Sequence, residues 1–350
     1  MPKFTPLSEI HKELDAKCVP FQGWSLPQSY PGGALAEHKH TVKFCSVFDS
    51  SFSGKIRIAG PGCAGLLDNI LLYPVSPLSP GETQENFLLS ENGCFADCLA
   101  VCRMAEEDFF LTVSCGRAEK EAEFFSRSLP EEVTVQDLSL PVAQLDLRGP
   151  EARSVLLEAE VPKASIPPAN GCGMIEIAGI RCIIRDTACS GIPGYALYCG
   201  ADNAIDLWDE LTCIEPVRPA GIGAADSLRL EKGRPAAISE YTENTIPSEV
   251  DLPIPEKEFY GKAALLQKAP GRRLYFARLE GRQAARSGDK VQLPSGKEIG
   301  TVTSGSLGSE GVFAFFKADA GETLASGENL LFISGKSQLT GVITPYPVRS

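Results

Sequence analysis

Histidine, methionine and tryptophan are scarce: the 350 residues hold three, three and two of them. The three histidines, His11, His38 and His40, give a metal centre little imidazole to work with. A structural zinc site needs four closed ligands, and no pair of the 12 cysteines has C-x-x-C spacing. The "EHKH" run (37–40) is at most a weak metal site, and a solvated polar turn or helix is the simpler expectation. Long apolar runs are also missing, and none approaches the roughly 18 residues of a membrane span. The first twenty residues carry no apolar core and no small-residue cleavage site, which predicts no signal peptide and a cytoplasmic chain. Positive charge is in deficit: the net charge is −12 and the pI near 4.9. That argues against nucleic acid, whose affinity rests on neutralising phosphates with Lys and Arg, and against anionic membrane surfaces.

What is present describes a globular chain with a sizeable core. Hydrophobic residues make up 43% and charged residues 22%. The 33 glycines and 26 prolines predict many turns and short elements. The length suggests two or three units. Without a signal peptide, the cysteines are expected as reduced thiols. All of them fall at or before Cys213, so the last 137 residues have none, and this asymmetry marks a separate C-terminal unit.

Periodicity divides the chain further. "SEIHKELDAK" reads as a short helix and "KIRIAG" as a strand, and "GPGCAGLLDNILL" has helical spacing. "ENFLLSENGCFADCLAVCRMAEEDFFLTVS" reads as a three-strand meander with an Asn-Gly turn. A helix follows over 116–129. The cycle restarts at "VAQLDLRGPEARSVLLEA", so strand, Gly-Pro, helix occurs twice, at Gly60-Pro61 and Gly149-Pro150. Neither site has the tail of a phosphate loop. From Arg272 onward, short strands alternate with Gly-rich turns, which predicts an antiparallel barrel of about six strands. The fold class is therefore α+β. A first α+β module spans 1–140 and a related second one 141–255; a connector at 256–271 leads to a C-terminal antiparallel β-barrel at 272–350.

The stretch "ENGCFADCLAVC" (91–102) sets Asp97 among Cys94, Cys98 and Cys102. Spacing by four places the three thiols on one face of a strand or in a stripe along a helix. Cys98 is either a nucleophile or a small apolar strand residue. The second reading fits the residue types better, since a reactive thiolate wants a cationic neighbour and the nearest base in sequence is Arg103. Asp97 reads as a solvated or turn-bound carboxylate.

Several longer stretches carry a resemblance. "TPLSEIHKELDAKCVPFQGWSLPQSY", "AEHKHTVKFCSVFD", "GIGAADSLRLEKGRP", "TENTIPSE", "YGKAALL" and "IGTVTSGS" resemble, in order and nearly end to end, the glycine cleavage T-protein family of tetrahydrofolate-dependent aminomethyltransferases. The resemblance implies a three-domain, cloverleaf-like fold with a folate site. It also implies a lipoyl carrier, the H-protein, as partner. In the implied chemistry the carrier delivers an aminomethyl group, the folate N5 captures it, and ammonia leaves.

The same resemblance assigns positions, and many of them are substituted. The family's catalytic aspartate is the second of a Gly-Gly-x-x-Asp-Asp motif. Its position holds Cys98, while Asp97 matches the first aspartate and is a possible substitute only if the local register shifts. Family tyrosines fall at Glu85 and Cys102, an asparagine at Ser114, the pterin-binding glutamate at Ala196 and an arginine at Ala225. A C-terminal arginine survives as Arg349. Asp226, Arg229 and Glu231 are kept. Glu240 and Glu243 match family loop positions, where solvated carboxylates are the simpler reading and channel-lining ones the alternative.

Scaffold motifs thus match while ligand-facing positions do not, so the expectation is a family member whose ordinary activity is lost or altered. The alternative is an active aminomethyltransferase with a rebuilt site. A tRNA-modification or iron–sulfur-maintenance paralogue ranks last, because its Lys-Gly-Cys-Tyr-x-Gly-Gln-Glu motif is replaced by "EKGRPAAISE".

Overall fold

The computed structural model describes residues 2–187 and 191–346. β1 (Lys17–Phe21) and β2 (Trp24–Ser29) pair as an antiparallel ribbon. Helix Ala34–Lys43 leads to β3 (Cys45–Asp49). Next come β4 (Gly54–Ala59), helix Cys63–Asp68, β5 (Thr83–Leu89), β6 (Phe95–Ala105), β7 (Asp108–Val113), helix Ala118–Ser128 and β8 (Thr134–Asp137). The same series then repeats: β9 (Val142–Arg148), helix Ala152–Glu158, β10 (Cys172–Ile177), β11 (Ile180–Asp186), β12 (Gly194–Gly200), helix Ala204–Thr212 and β13 (Val217–Pro219).

Sheet topology repeats with it. The first series orders as β5-β6-β7-β4-β8 and the second as β10-β11-β12-β9-β3-β13. The expected duplication is therefore present, and it is strand for strand apart from β3, which inserts between β9 and β13 and pairs in parallel with β13. In each series a glycine turns the chain from strand to helix. Gly149 has φ +132°, and a Cβ there would lie 2.1 Å from the Phe44 carbonyl oxygen. Gly60 has φ +146°, and its Cβ would lie 2.5 Å from the Glu132 carbonyl oxygen. Only glycine fits either place.

Two compact units emerge from the contacts. One comprises Met1–Asn86 and Leu99–Ala225, the other Phe87–Cys98 and Asp226–Ser350. In the first, helix Ala204–Thr212 buries Ala204, Leu207, Trp208 and Leu211, the i, i+3, i+4, i+7 stripe of a core-facing helix. These pack with Val47, Leu145, Leu147 and Leu197 of the six-stranded sheet. Each buried leucine or valine among them stabilises by about 1.5–3 kcal/mol. A polar chain crosses the same core. The Tyr30 hydroxyl lies 3.0 Å from His11 Nδ1, and His11 Nε2 lies 2.9 Å from Asp49 Oδ2.

In the second unit, β14 (Arg272–Leu279), β15 (Lys290–Gln292), β16 (Glu298–Leu307), β17 (Val312–Asp319), β18 (Asn329–Ser334) and β19 (Ser337–Ile343) close a six-stranded barrel in the order β14-β17-β16-β15-β18-β19. Its interior holds Ala277, Val291, Val302, Val312, Phe316, Leu330 and Phe332. Among the described residues, no helix is long and apolar enough to cross a membrane.

Candidate active site

Strand β6 carries the motif residues, and its alternation separates them. Phe95, Asp97, Leu99 and Val101 are buried on one side, while Ala96, Cys98 and Ala100 are half-buried on the other. Asp97 is only 2% exposed, so the solvated or turn-bound reading is corrected. The period-2 run Phe-x-Asp-x-Leu-x-Val places it with the core side chains. Asp97 and Cys98 thus face opposite ways along the extended strand.

The expected three-thiol face is also corrected. Cys94 precedes the strand, in the turn after Ser90, and its backbone N–H donates to Asn92 Oδ1 at 3.0 Å. Its sulfur accepts a hydrogen bond from the Lys268 ammonium at 3.2 Å. No sequence signal announces that neighbour, 174 positions away. Gly93 makes the approach possible, since a Cβ there would lie 2.6 Å from the Leu265 nitrogen.

In the first unit two of the predicted ligand positions come together. Cys102 and Ala196 share a closed cluster with Phe110, Cys172 and Tyr198. Both Cys102 and Ala196 have no solvent exposure. The Phe110 and Tyr198 rings meet edge to face, with centroids 4.9 Å apart. The Tyr198 hydroxyl lies 2.7 Å from Thr112 Oγ1 and accepts from Arg185 Nε at 3.3 Å. Burial pushes the Tyr198 phenol up, so it stays protonated. Arg185 stands directly across from Ala196 in the β11–β12 register.

The remaining positions lie on other elements. Glu85 is half-buried on β5, and Ser114 is half-buried just past the end of β7, where its carbonyl accepts from Arg117 N–H at 3.1 Å. Ala225 is half-buried in helix Ile222–Glu231. Arg349 lies outside the described residues.

Glu240, for which solvation was the simpler reading, is a densely bonded carboxylate of the second unit. Glu240 has no exposure. It accepts hydrogen bonds from Arg229 Nη1 at 2.9 Å, Ala236 N–H at 2.8 Å, Thr303 Oγ1 at 2.7 Å and Ser304 Oγ at 2.6 Å. Its own carbonyl accepts from Lys317 Nζ at 3.0 Å. Glu231 likewise accepts from Ser309 and Glu310 backbone N–H groups. These retained residues hold helix Ile222–Glu231 and the following loop to the barrel.

Among the described residues no group of three or more His, Cys, Asp or Glu is arranged to hold an ion. The "EHKH" residues form part of helix Ala34–Lys43, and they are not all solvated as expected. His38 is fully buried, and His40 Nε2 lies 2.7 Å from the Pro216 carbonyl oxygen.

Known proteins share this architecture. Residues 7–254 match the family model described as GCVT N-terminal domain. Curated proteins named aminomethyltransferase include one from Geobacillus kaustophilus, 31% identical over 87% of this chain and 86% of its own. Another, from Halothermothrix orenii, is 30% identical over 99% of both chains. A crystal structure of glycine cleavage system aminomethyltransferase T from Bartonella henselae matches with a TM-score of 0.90 at 28% identity, covering 99% of this chain and 98% of that one. On a shared fold, a family-model match across most of the length and relatives aligned nearly end to end, the chain belongs to the glycine cleavage T-protein family of aminomethyltransferases.

Proposed function

We propose that this member keeps the family scaffold, in three domains as the sequence pattern divides them, with its ordinary tetrahydrofolate-dependent transfer lost or altered. One observation carries the reading: Cys102 and Ala196, which stand at ligand positions, are sealed in an apolar cluster under Tyr198 and Phe110. A pterin presents N–H donors that need acceptors, and leaving them unmatched costs about 1–3 kcal/mol each. Alanine and a buried thiol do not fit that need. At the catalytic position, Cys98 supplies no carboxylate to stabilise a cationic centre. Losing one preorganised charge-stabilising group costs roughly 100- to 1,000-fold in rate. A binding or regulatory role toward a lipoyl carrier or another ligand would use the retained scaffold.

A second reading has its own support. The curated relatives carry the name aminomethyltransferase at 30–31% identity over 86–99% of their own length. On that reading the chain is an active enzyme of the glycine cleavage system, moving the lipoyl-bound aminomethyl carbon to tetrahydrofolate with release of ammonia.

Titration of the purified chain with tetrahydrofolate, followed by an assay of ammonia release from an aminomethyl-lipoyl carrier, separates the two. The first reading expects neither binding nor turnover from a folded protein. Micromolar binding with turnover overturns it in favour of the second.

A further inference from the structure

Cys102 and Cys172 meet where two sheets of the first unit adjoin. Cys102 lies on β6 of the five-stranded sheet, and Cys172 opens β10 of the six-stranded one. Backbone hydrogen bonds fix the place. Arg103 N–H donates to the Glu82 carbonyl at 2.9 Å, Gly81 N–H to the Arg103 carbonyl at 2.7 Å, and Cys172 N–H to the Gly81 carbonyl at 2.7 Å. The Cys172 sulfur is 3.3 Å from the Glu82 carbonyl oxygen and 3.9 Å from that of Arg103. The Cys102 sulfur is 3.5 Å from the Thr83 hydroxyl. Both residues are free thiols, and they pack in one buried cluster.

The pair is chemically uneven. Burial raises the Cys102 thiol, but the Cys172 thiol, the charge of Arg185 and the Thr83 hydroxyl outweigh it and hold the thiol below its ordinary value. Cys172 is driven the other way, by Cys102 and then by burial. The thiolate is the reactive form in thiol oxidation, and a second thiol in contact resolves the oxidised sulfur.

We propose that Cys102 and Cys172 form a peroxide-oxidisable pair that closes into a disulfide linking the two sheets. The Cys102 sulfur attacks one oxygen of hydrogen peroxide; the S–O bond forms, the O–O bond breaks, and the departing hydroxide takes up a proton to become water. The Cys172 sulfur then attacks the Cys102 sulfur. The S–S bond forms, the S–O bond breaks, and the hydroxyl leaves with the Cys172 proton as a second water. Two thiols lose two electrons, and one peroxide is reduced to two waters. Cys102 has no exposure and Cys172 only 6%, so the oxidant reaches them when the cluster opens locally.

The test is limited oxidation of the full-length chain with near-stoichiometric hydrogen peroxide. Digestion with trypsin and Asp-N under non-reducing conditions and tandem mass spectrometry follow. The expected result is a linkage between peptides 97–103 and 164–181, with fragmentation placing it on Cys102, loss of two thiols per chain, a raised melting temperature, and reversal by a phosphine reductant. In Cys172→Ala, dimedone should label Cys102 as the trapped sulfenic acid, and no internal linkage should form. Absence of the 97–103 to 164–181 linkage in a chain with an unchanged circular dichroism spectrum overturns the proposal, as does a different cysteine pair linking first. The wild-type readout stands without the variant, so misfolding of the variant decides nothing.

Discussion

Arg229 Nη1 donates to Glu240 Oε2 at 2.9 Å, with the carboxylate fully out of solvent and the guanidinium only 14% exposed. The pair holds because Asp226, Ala236, Thr303 and Ser304 complete the network around it. Breaking a buried pair by removing one partner leaves the other charge uncompensated, at a cost of about 3–5 kcal/mol. Glu240→Ala should therefore lower the denaturant midpoint by that equivalent, with an unchanged m-value. Thr303→Val, which removes one of four donors, should cost about 1 kcal/mol. Equal effects from the two variants would contradict the network.

Acid should unfold this chain through Asp49 and Asp146. Burial pushes both carboxyls up, but more than offsetting effects leave each below its ordinary range: His11 and two further hydrogen bonds for Asp49, and Arg148, Gln144 and Arg185 for Asp146. A depressed carboxyl contributes stability that is complete above its unfolded value near 4 and is lost as pH falls through its lower folded value. The melting temperature should be flat from about pH 6 to 5 and fall below about 4. Asp146→Asn should start lower and fall less steeply; parallel curves for wild type and variant would refute the assignment.

Lys55 gives a slope of the same sign at alkaline pH. It has no exposure, and its ammonium donates to the Ser51 and Ser53 carbonyls at 2.8 Å each. Burial pulls it down to about 8, against the pull of Asp49, Asp146 and Asp137. Between about 8 and 10.5 the unfolded chain binds the extra proton, so stability rises with pH across that window, by about 3 kcal/mol in total. The stability of wild type relative to Lys55→Met, measured by urea unfolding, should therefore increase from pH 7.5 to 9.5. A constant difference would show that Lys55 titrates normally.

Gly93 is predicted to be intolerant of any side chain. Its φ is +79°, and a Cβ would lie 2.6 Å from the Leu265 nitrogen and 2.7 Å from its Cα. Gly93→Ala should cost on the order of 3 kcal/mol, combining backbone strain with a clash against main chain. Gly296 provides the control. Its φ is +86° and nothing lies within 4 Å of an added Cβ, so Gly296→Ala carries the strain alone. The excess of the first melting shift over the second measures the clash, and no excess would mean the turn relaxes freely.

The barrel and the two modules were legible because their signals are local. Alternation with Gly-rich turns defines β14 to β19, and the repeated strand, Gly-Pro, helix order announced a duplication that the sheet orders reproduce. Asp97 was legible too, had the run Phe95, Leu99, Val101 been weighed above the general solubility of aspartate. Glu240 was not, since its hydroxyl partners Thr303 and Ser304 lie 63 and 64 positions away and no periodicity relates them. The insertion of β3 beside β9 and β13 was equally hidden, because a single short apolar strand carries no mark of its distant neighbours. At the ligand positions the sequence pointed to substitutions; that two of them, Cys102 and Ala196, close into one sealed cluster required coordinates.

The hairpin tip Phe87–Cys98 belongs to the unit otherwise built from Asp226 onward, and that has a consequence during synthesis. Phe95 N–H donates to the Thr245 carbonyl at 3.0 Å, and its ring packs on Tyr241. Those partners are made about 150 residues later, which at roughly 5–20 residues per second leaves the tip waiting on the order of ten to thirty seconds. Throughout that interval Phe87, Phe95 and the Cys94 thiol lack the neighbours that cover them in the finished fold. A nascent chain stalled near residue 225 should therefore be the species most readily captured by chaperones and most easily cut within 87–98.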